Sequence, residues 1–107
     1  MEQKNIYDGL KTIQPSKCTY VARKDAESFI QRCKENDIGI LGFDGLYCGE
    51  GYTQADLDLI ADFSKLFSEI QFFSKSQKES CLAAEEIIQD FPADETLYID
   101  FVLKEKS

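Results

Sequence analysis

The apolar positions repeat with two periods. Over residues 96–104, Leu97, Ile99, Phe101 and Leu103 alternate with Tyr98, Asp100, Val102 and Lys104. A period of two marks a strand with one buried face. Over about 24–36, Phe29, Ile30 and Cys33 share one helical stripe, and Arg32, Lys34 and Glu35 are assigned to water. A second helix is expected over about 77–91. There Ser76 and Glu79 form a capping box, Leu82, Ile87 and Ile88 point inward, and Pro92 stops the helix.

Residues 38–43, Ile-Gly-Ile-Leu-Gly-Phe, are apolar at both alternating sets of positions, the pattern of a central strand covered on both faces. Asp44-Gly45 is favoured in two-residue hairpin turns, so the chain is expected to reverse there and return through Leu46, Tyr47 and Cys48. Gly49-Glu50-Gly51 then reads as a mobile loop. Residues 55–63 fit two templates. A helix would open on the capping box of Thr53 and Asp56. A strand would put Leu57, Leu59, Ala61 and Phe63 on one face and Asp56, Asp58, Ile60 and Asp62 on the other, and the strict alternation favours it. Residues 64–75, with Phe67, Phe72 and Phe73, read as a long loop over one end of the core, and Ile6, Leu10 and Ile13 predict a short helix before Pro15.

These elements give an α+β fold: an antiparallel sheet of about four strands with two main helices packed on one face. A chain of 107 residues with eight Phe and five Tyr supports one core, hence a single domain over 1–107. No apolar run reaches the roughly 18–20 residues of a membrane span, and the first residues lack the basic-then-apolar order of a signal peptide. A cytoplasmic location is the expectation. Cys18, Cys33, Cys48 and Cys81 form no CxxC pair, and no histidine is present to complete a zinc set, so packed thiols are expected. Lack of histidine also removes the usual acid/base near neutral pH, and no P-loop, GxSxG or dinucleotide fingerprint replaces it. We expect no enzymatic activity, no cofactor and no metal.

The net charge of −8 is unevenly placed. Glu35 to Ser64 holds seven acids and no base, and Glu79 to Leu103 holds seven more, again with no base. Such a field repels nucleic acid and membrane surfaces and attracts basic proteins, above all those built to hold phosphates; in its blandest form it serves solubility alone. Asp56-x-Asp58 places two carboxylates on one strand face, about 6.6–6.8 Å apart, which could suggest a divalent cation. The same alternation beside Tyr47, Tyr52 or Tyr98 imitates phosphates spaced between stacked bases, and an ordinary acidic strand surface has the same pattern.

The helix followed by Ile40–Gly45 (Ile-Leu-Gly-Phe-Asp-Gly), then Leu82–Ile88 and Leu97–Lys104, resembles the small bacterial immunity proteins related to that of the tRNA-cleaving E-type colicin, which also accompany contact-dependent growth inhibition toxins. The likeness spans roughly 25–104 and leaves residues 1–22 as an N-terminal extension. It implies an inhibitor that occupies the RNA-binding cleft of a cognate basic toxin nuclease domain. Charge and expected facing, not the resemblance, select the contacts: Asp44, Glu50, Asp56, Asp58 and Asp62 as anions, with Tyr47 and Tyr52 as aromatic anchors. Two other readings stay open: a non-catalytic adaptor or regulatory subunit, and a small metal-dependent enzyme using the Asp56-x-Asp58 pair.

Overall fold

The computed structural model describes residues 6–14, 18–69 and 72–105, except the side chains of Tyr52 and Leu57. Pro15 and residues 70 and 71 of the expected loop lie outside the described residues. One antiparallel sheet contains β1 (Thr12–Ile13), β2 (Tyr20–Ala22), β3 (Gly39–Gly49), β4 (Tyr52–Asp62) and β5 (Leu97–Lys104), in the spatial order β1-β2-β5-β3-β4. The helices are α1 (Ala26–Glu35), entered through a 3-10 turn at Arg23–Asp25, the short α2 (Ser64–Glu69) and α3 (Phe73–Gln89). The fold is the expected α+β class, with five strands instead of about four. None of the described helices is long and apolar enough to cross a membrane.

α1 and α3 cover the same face of the sheet. Phe29, Ile30 and Cys33 from α1 and Cys81, Ala84 and Ile88 from α3 meet Ile40, Phe43, Leu97, Ile99 and Phe101. Phe29 stacks on Phe101 at 4.7 Å, and Phe43 takes Phe101 and Phe91 edge-on at 5.6 Å. Every inward residue expected from the alternation of β5 packs in or against this core. α1 ends where Asp37 adopts a left-handed φ of 57° and the Ile38 N–H donates to the Cys33 carbonyl at 2.9 Å, the closing bond of a Schellman cap.

Four expectations are corrected. The first concerns residues 6–13, which form a turn and then β1, with no helix. Tyr7 stacks on Phe29 at 5.1 Å, Val21 is fully buried, and the Arg32 guanidinium, assigned to water, donates to the carbonyls of Ile6 and Asp8. Strands of two and three residues are too short to show a period; pairing of β2 with β5 and of β1 with β2 creates them.

Second, Asp44-Gly45 is not a turn. β3 continues through it to Gly49, and the chain reverses at Glu50-Gly51, where Gly51 takes a φ of 74°. Third, β3 is an interior strand beside the edge strand β4, while β5 takes the centre, and the main helices cover β3 on one face only.

Last, α3 starts at Phe73, and α2 occupies part of the expected loop. Phe67 packs over Gly39 and lies 6.0 Å from Phe73, whereas Phe72 is exposed. Ser76 caps nothing at this N-terminus. It is buried and donates to the Leu66 carbonyl at 2.9 Å. The inward face of α3 begins polar, with Ser76, Gln77 and Ser80, while Leu82 is 52% exposed and Ile87 37%. Polar residues face inward because backbone groups there need partners. Ser80 Oγ accepts the Ile40 N–H at 3.0 Å, and Gln77 Nε2 donates to the carbonyls of Cys33 (3.1 Å) and Ile38 (3.2 Å).

Candidate functional site

β3 and β4 pair in two registers. Gly42, Phe43 and Asp44 face Asp62, Ala61 and Ile60, whereas Gly45, Leu46 and Tyr47 face Asp56, Ala55 and Gln54. Residues 57–59 are interposed on β4, and an odd insertion reverses which face each later side chain takes. The Asp56 carboxylate accepts the Asp58 N–H at 2.9 Å and stabilises the bend. Leu59 folds beneath Gly45, where a Cβ would lie 2.6 Å from the Leu59 Cβ.

This irregularity divides the seven expected contacts. Asp44 and Asp62 lie on the face opposite the main helices. By register, Asp56 and Tyr47 lie on the helix side, and Tyr47 packs against the core, so neither belongs with Asp44. Partial burial, then Asp56 and Asp94, raise the Tyr47 phenol above its ordinary range. Asp58 is exposed within the bulge, and Glu50 is exposed at the hairpin tip. Tyr52 opens β4, but its side chain is outside the described residues. The expected single stripe of Asp56, Asp58 and Asp62 does not form.

The open face instead brings together a row that crosses four strands. Tyr20 on β2 shares the face of Asp100 on β5, Asp100 stands opposite Asp44 on β3, and Asp44 stands opposite Ile60 on β4. In the next row Val102 faces Gly42, which faces Asp62. Gly42 adds no side chain to this row, and β4 closes tightly on it: a Cβ there would lie 2.4 Å from the Ala61 carbonyl oxygen. The result is a depression of about 290 Å³ with Gly42 as its floor and Asp44, Ile60, Asp62 and Val102 around it. Ile60 and Val102 are each 48% exposed.

Partial burial raises the Asp100 carboxyl above its ordinary value, and the Asp44 charge adds to the rise. The Tyr20 phenol is raised by burial and then by Asp100, Cys18 and Asp44. Asp62 moves the other way: the Ser64 N–H bonds its carboxylate at 2.9 Å, so this acid also caps α2. Aliphatic walls beside carboxylates suit a long basic side chain, with its stem on Ile60 and Val102 and its cationic head near Asp44 and Asp100. Asp100, Ile60, Val102 and Tyr20 were missing from the expected contacts. The alternation of 96–104 places Asp100 and Val102 on the outward face, and the strand order, with β3 between β5 and β4, sets them beside Asp44.

Cys33 and Cys81 are buried in the core, where desolvation pushes the Cys81 thiol up to about 11 and Cys33 higher. Among the described residues, no three His, Cys, Asp or Glu side chains are grouped to hold a metal ion. Compared with protein-family models, curated proteins and solved structures, the chain matches none.

Proposed function

We propose that this chain is an immunity protein that binds a basic bacterial toxin domain, a ribonuclease in the leading reading, and blocks its RNA-binding site without chemistry of its own. The observation that carries the reading is the juxtaposition of Asp44 and Asp100 beside an apolar-walled depression. Two carboxylates directly across a strand pair repel each other, and an arriving Lys or Arg relieves that repulsion while covering Ile60 and Val102. The net charge of −8 adds a long-range field that speeds encounter with a basic partner to as much as about 10⁸–10⁹ M⁻¹s⁻¹. The strings Ile40–Gly45, Leu82–Ile88 and Leu97–Lys104 narrow the partner class to the nuclease toxins of the resembling family.

Co-expression with the toxin domain encoded beside its gene tests this. Growth rescue and a co-purifying pair are expected. A neighbouring toxin that kills regardless, or a pair that fails to associate even at low salt, overturns the proposal. A non-catalytic adaptor would instead bind through Ile60 and Val102 alone, and its affinity would be insensitive to salt.

A further inference from the structure

A second concavity lies on another part of the molecule and has the opposite character. It is a cleft of about 280 Å³ between the start of the 3-10 turn and the loop that precedes β5. Its lining includes Arg23 and Lys24 from the 3-10 turn, Asp94 and Glu95 from the loop, and Lys11 from just before β1. In a chain with 12 bases against 20 acids, this lining sets three bases against two acids. The volume is at the small end of ligand sites, about 300–1,000 Å³.

The bases are not consumed by the acids facing them. No ion pair joins Lys11, Arg23 or Lys24 to Asp94 or Glu95. Asp94 is turned into its own loop, where one carboxylate oxygen accepts both the Thr96 N–H (2.8 Å) and the Thr96 hydroxyl (2.7 Å). The Lys11 ammonium lies 6.0 Å from the centroid of the Tyr98 ring. Arg23 is the most telling. Its side chain is only 12% exposed, Nη1 donates to Glu27 at 3.0 Å, and the buried Nε–H has no acceptor. A buried donor without a partner is costly, and on a guanidinium more so.

We propose that this cleft binds a small molecule through a single oxyanion, a carboxylate or a phosphate, held by Arg23 with Lys24 and Lys11. The Arg23 Nε–H is shielded in the free cleft, so a bound oxyanion gives it an acceptor only as the guanidinium turns outward, and the planar group suits either ligand. The exposed Glu95 in the lining disfavours polyanions, which keeps the site selective for a compact ligand over RNA.

The test is a ¹H–¹⁵N correlation titration of the full labelled chain with sodium phosphate and, separately, sodium acetate at constant ionic strength. Saturable shifts of the Arg23 Nε–H and of the Lys11 and Lys24 amides are expected, with a Kd of about a millimolar or tighter. The stronger of the two probes identifies the source as phosphate or carboxylate. Arg23→Gln should weaken binding about tenfold, the loss of a charge-assisted bond. Because Arg23 also bonds Glu27, Lys24→Ala at an exposed position serves as the second variant and should weaken binding about threefold. Shifts that rise linearly, that chloride reproduces, that map elsewhere or that survive both substitutions overturn the proposal.

Discussion

Asp44 on β3 and Asp100 on β5 stand directly opposite each other on the open face of the sheet, and neither forms an ion pair with a described residue. Their Cβ atoms are therefore about 4.5–5.5 Å apart, a separation at which like charges destabilise a sheet. A fold that keeps such a pair gives up some stability at that position, the common signature of a surface shaped for binding.

Replacing Asp100 with Asn should therefore stabilise the protein at pH 7 by about 0.2–1 kcal/mol, toward the low end because solvent screens the pair. The sign with pH follows from the raised Asp100 carboxyl. A folded-state value above the unfolded one means that the native protein gains a proton first. The wild type thus recovers stability relative to Asp100→Asn as pH falls through the folded value toward the unfolded value of about 3.9. Urea denaturation of both proteins at pH 7 and pH 4 measures the gap. A gap that widens toward pH 4 contradicts the assignment.

Asp62 and Asp94 behave oppositely. Both carboxyls are lowered, by bonds from Ser64 and from Thr96. Their stabilising effect is present above the unfolded carboxylate range and is lost as pH falls through the folded values. Asp62→Asn should thus destabilise at pH 7, and its deficit against wild type should shrink on acidification. Thermal melts across pH 3–7 would show this crossing with Asp100→Asn.

Gly45→Ala probes the three-residue irregularity in β4. The added methyl meets the Leu59 Cβ, which cannot swing away as a side-chain tip could. A loss of about 1–3 kcal/mol is expected. Gly42→Ala should cost at least as much, since its methyl meets the Ala61 carbonyl on the backbone of β4. Equilibrium unfolding in urea ranks the two. A neutral Gly45→Ala would mean that Leu59 does not occupy this position.

At the end of α1, Asp37 holds a left-handed conformation that costs an L-residue roughly 1–2 kcal/mol. Asp37→Gly should stabilise the protein, by about 0.5–1 kcal/mol once the greater freedom of unfolded glycine is subtracted. A rise in the urea midpoint with an unchanged slope is the expected result, and a fall would place residue 37 outside the left-handed region.

How far the sequence discloses this protein depends on the element. β5 and the buried stripe of α1 were legible because one period governs each and the core accepts it whole. In β4 the same period was visible, but the residues 57–59 that reverse its faces leave no periodic trace. Asp44-Gly45 has the chemistry of a hairpin turn, yet Gly45 is there to make room for Leu59 from the neighbouring strand. Leu82 looked inward and is not, because the backbone at Ile38 and Ile40 recruits Gln77 and Ser80 to the buried side of α3. The candidate site was legible in charge and illegible in place. Asp44 and Asp62 are legible, but their neighbours Asp100 and Val102 come from β5, distant in sequence, whose adjacency to β3 only the topology supplies.

The central claim is that the open face, and not the acidic surface at large, receives the basic partner. The most direct measurement compares association of the neighbouring toxin domain with Asp44→Asn/Asp100→Asn and with Asp56→Asn/Asp58→Asn at one fixed low ionic strength. Both double variants remove two charges, so the long-range field falls equally. The account predicts that the Asp44/Asp100 variant weakens binding at least about tenfold, mostly through faster dissociation, while the Asp56/Asp58 variant changes it about threefold or less. Equal losses from both, or a larger loss from Asp56/Asp58, would contradict it.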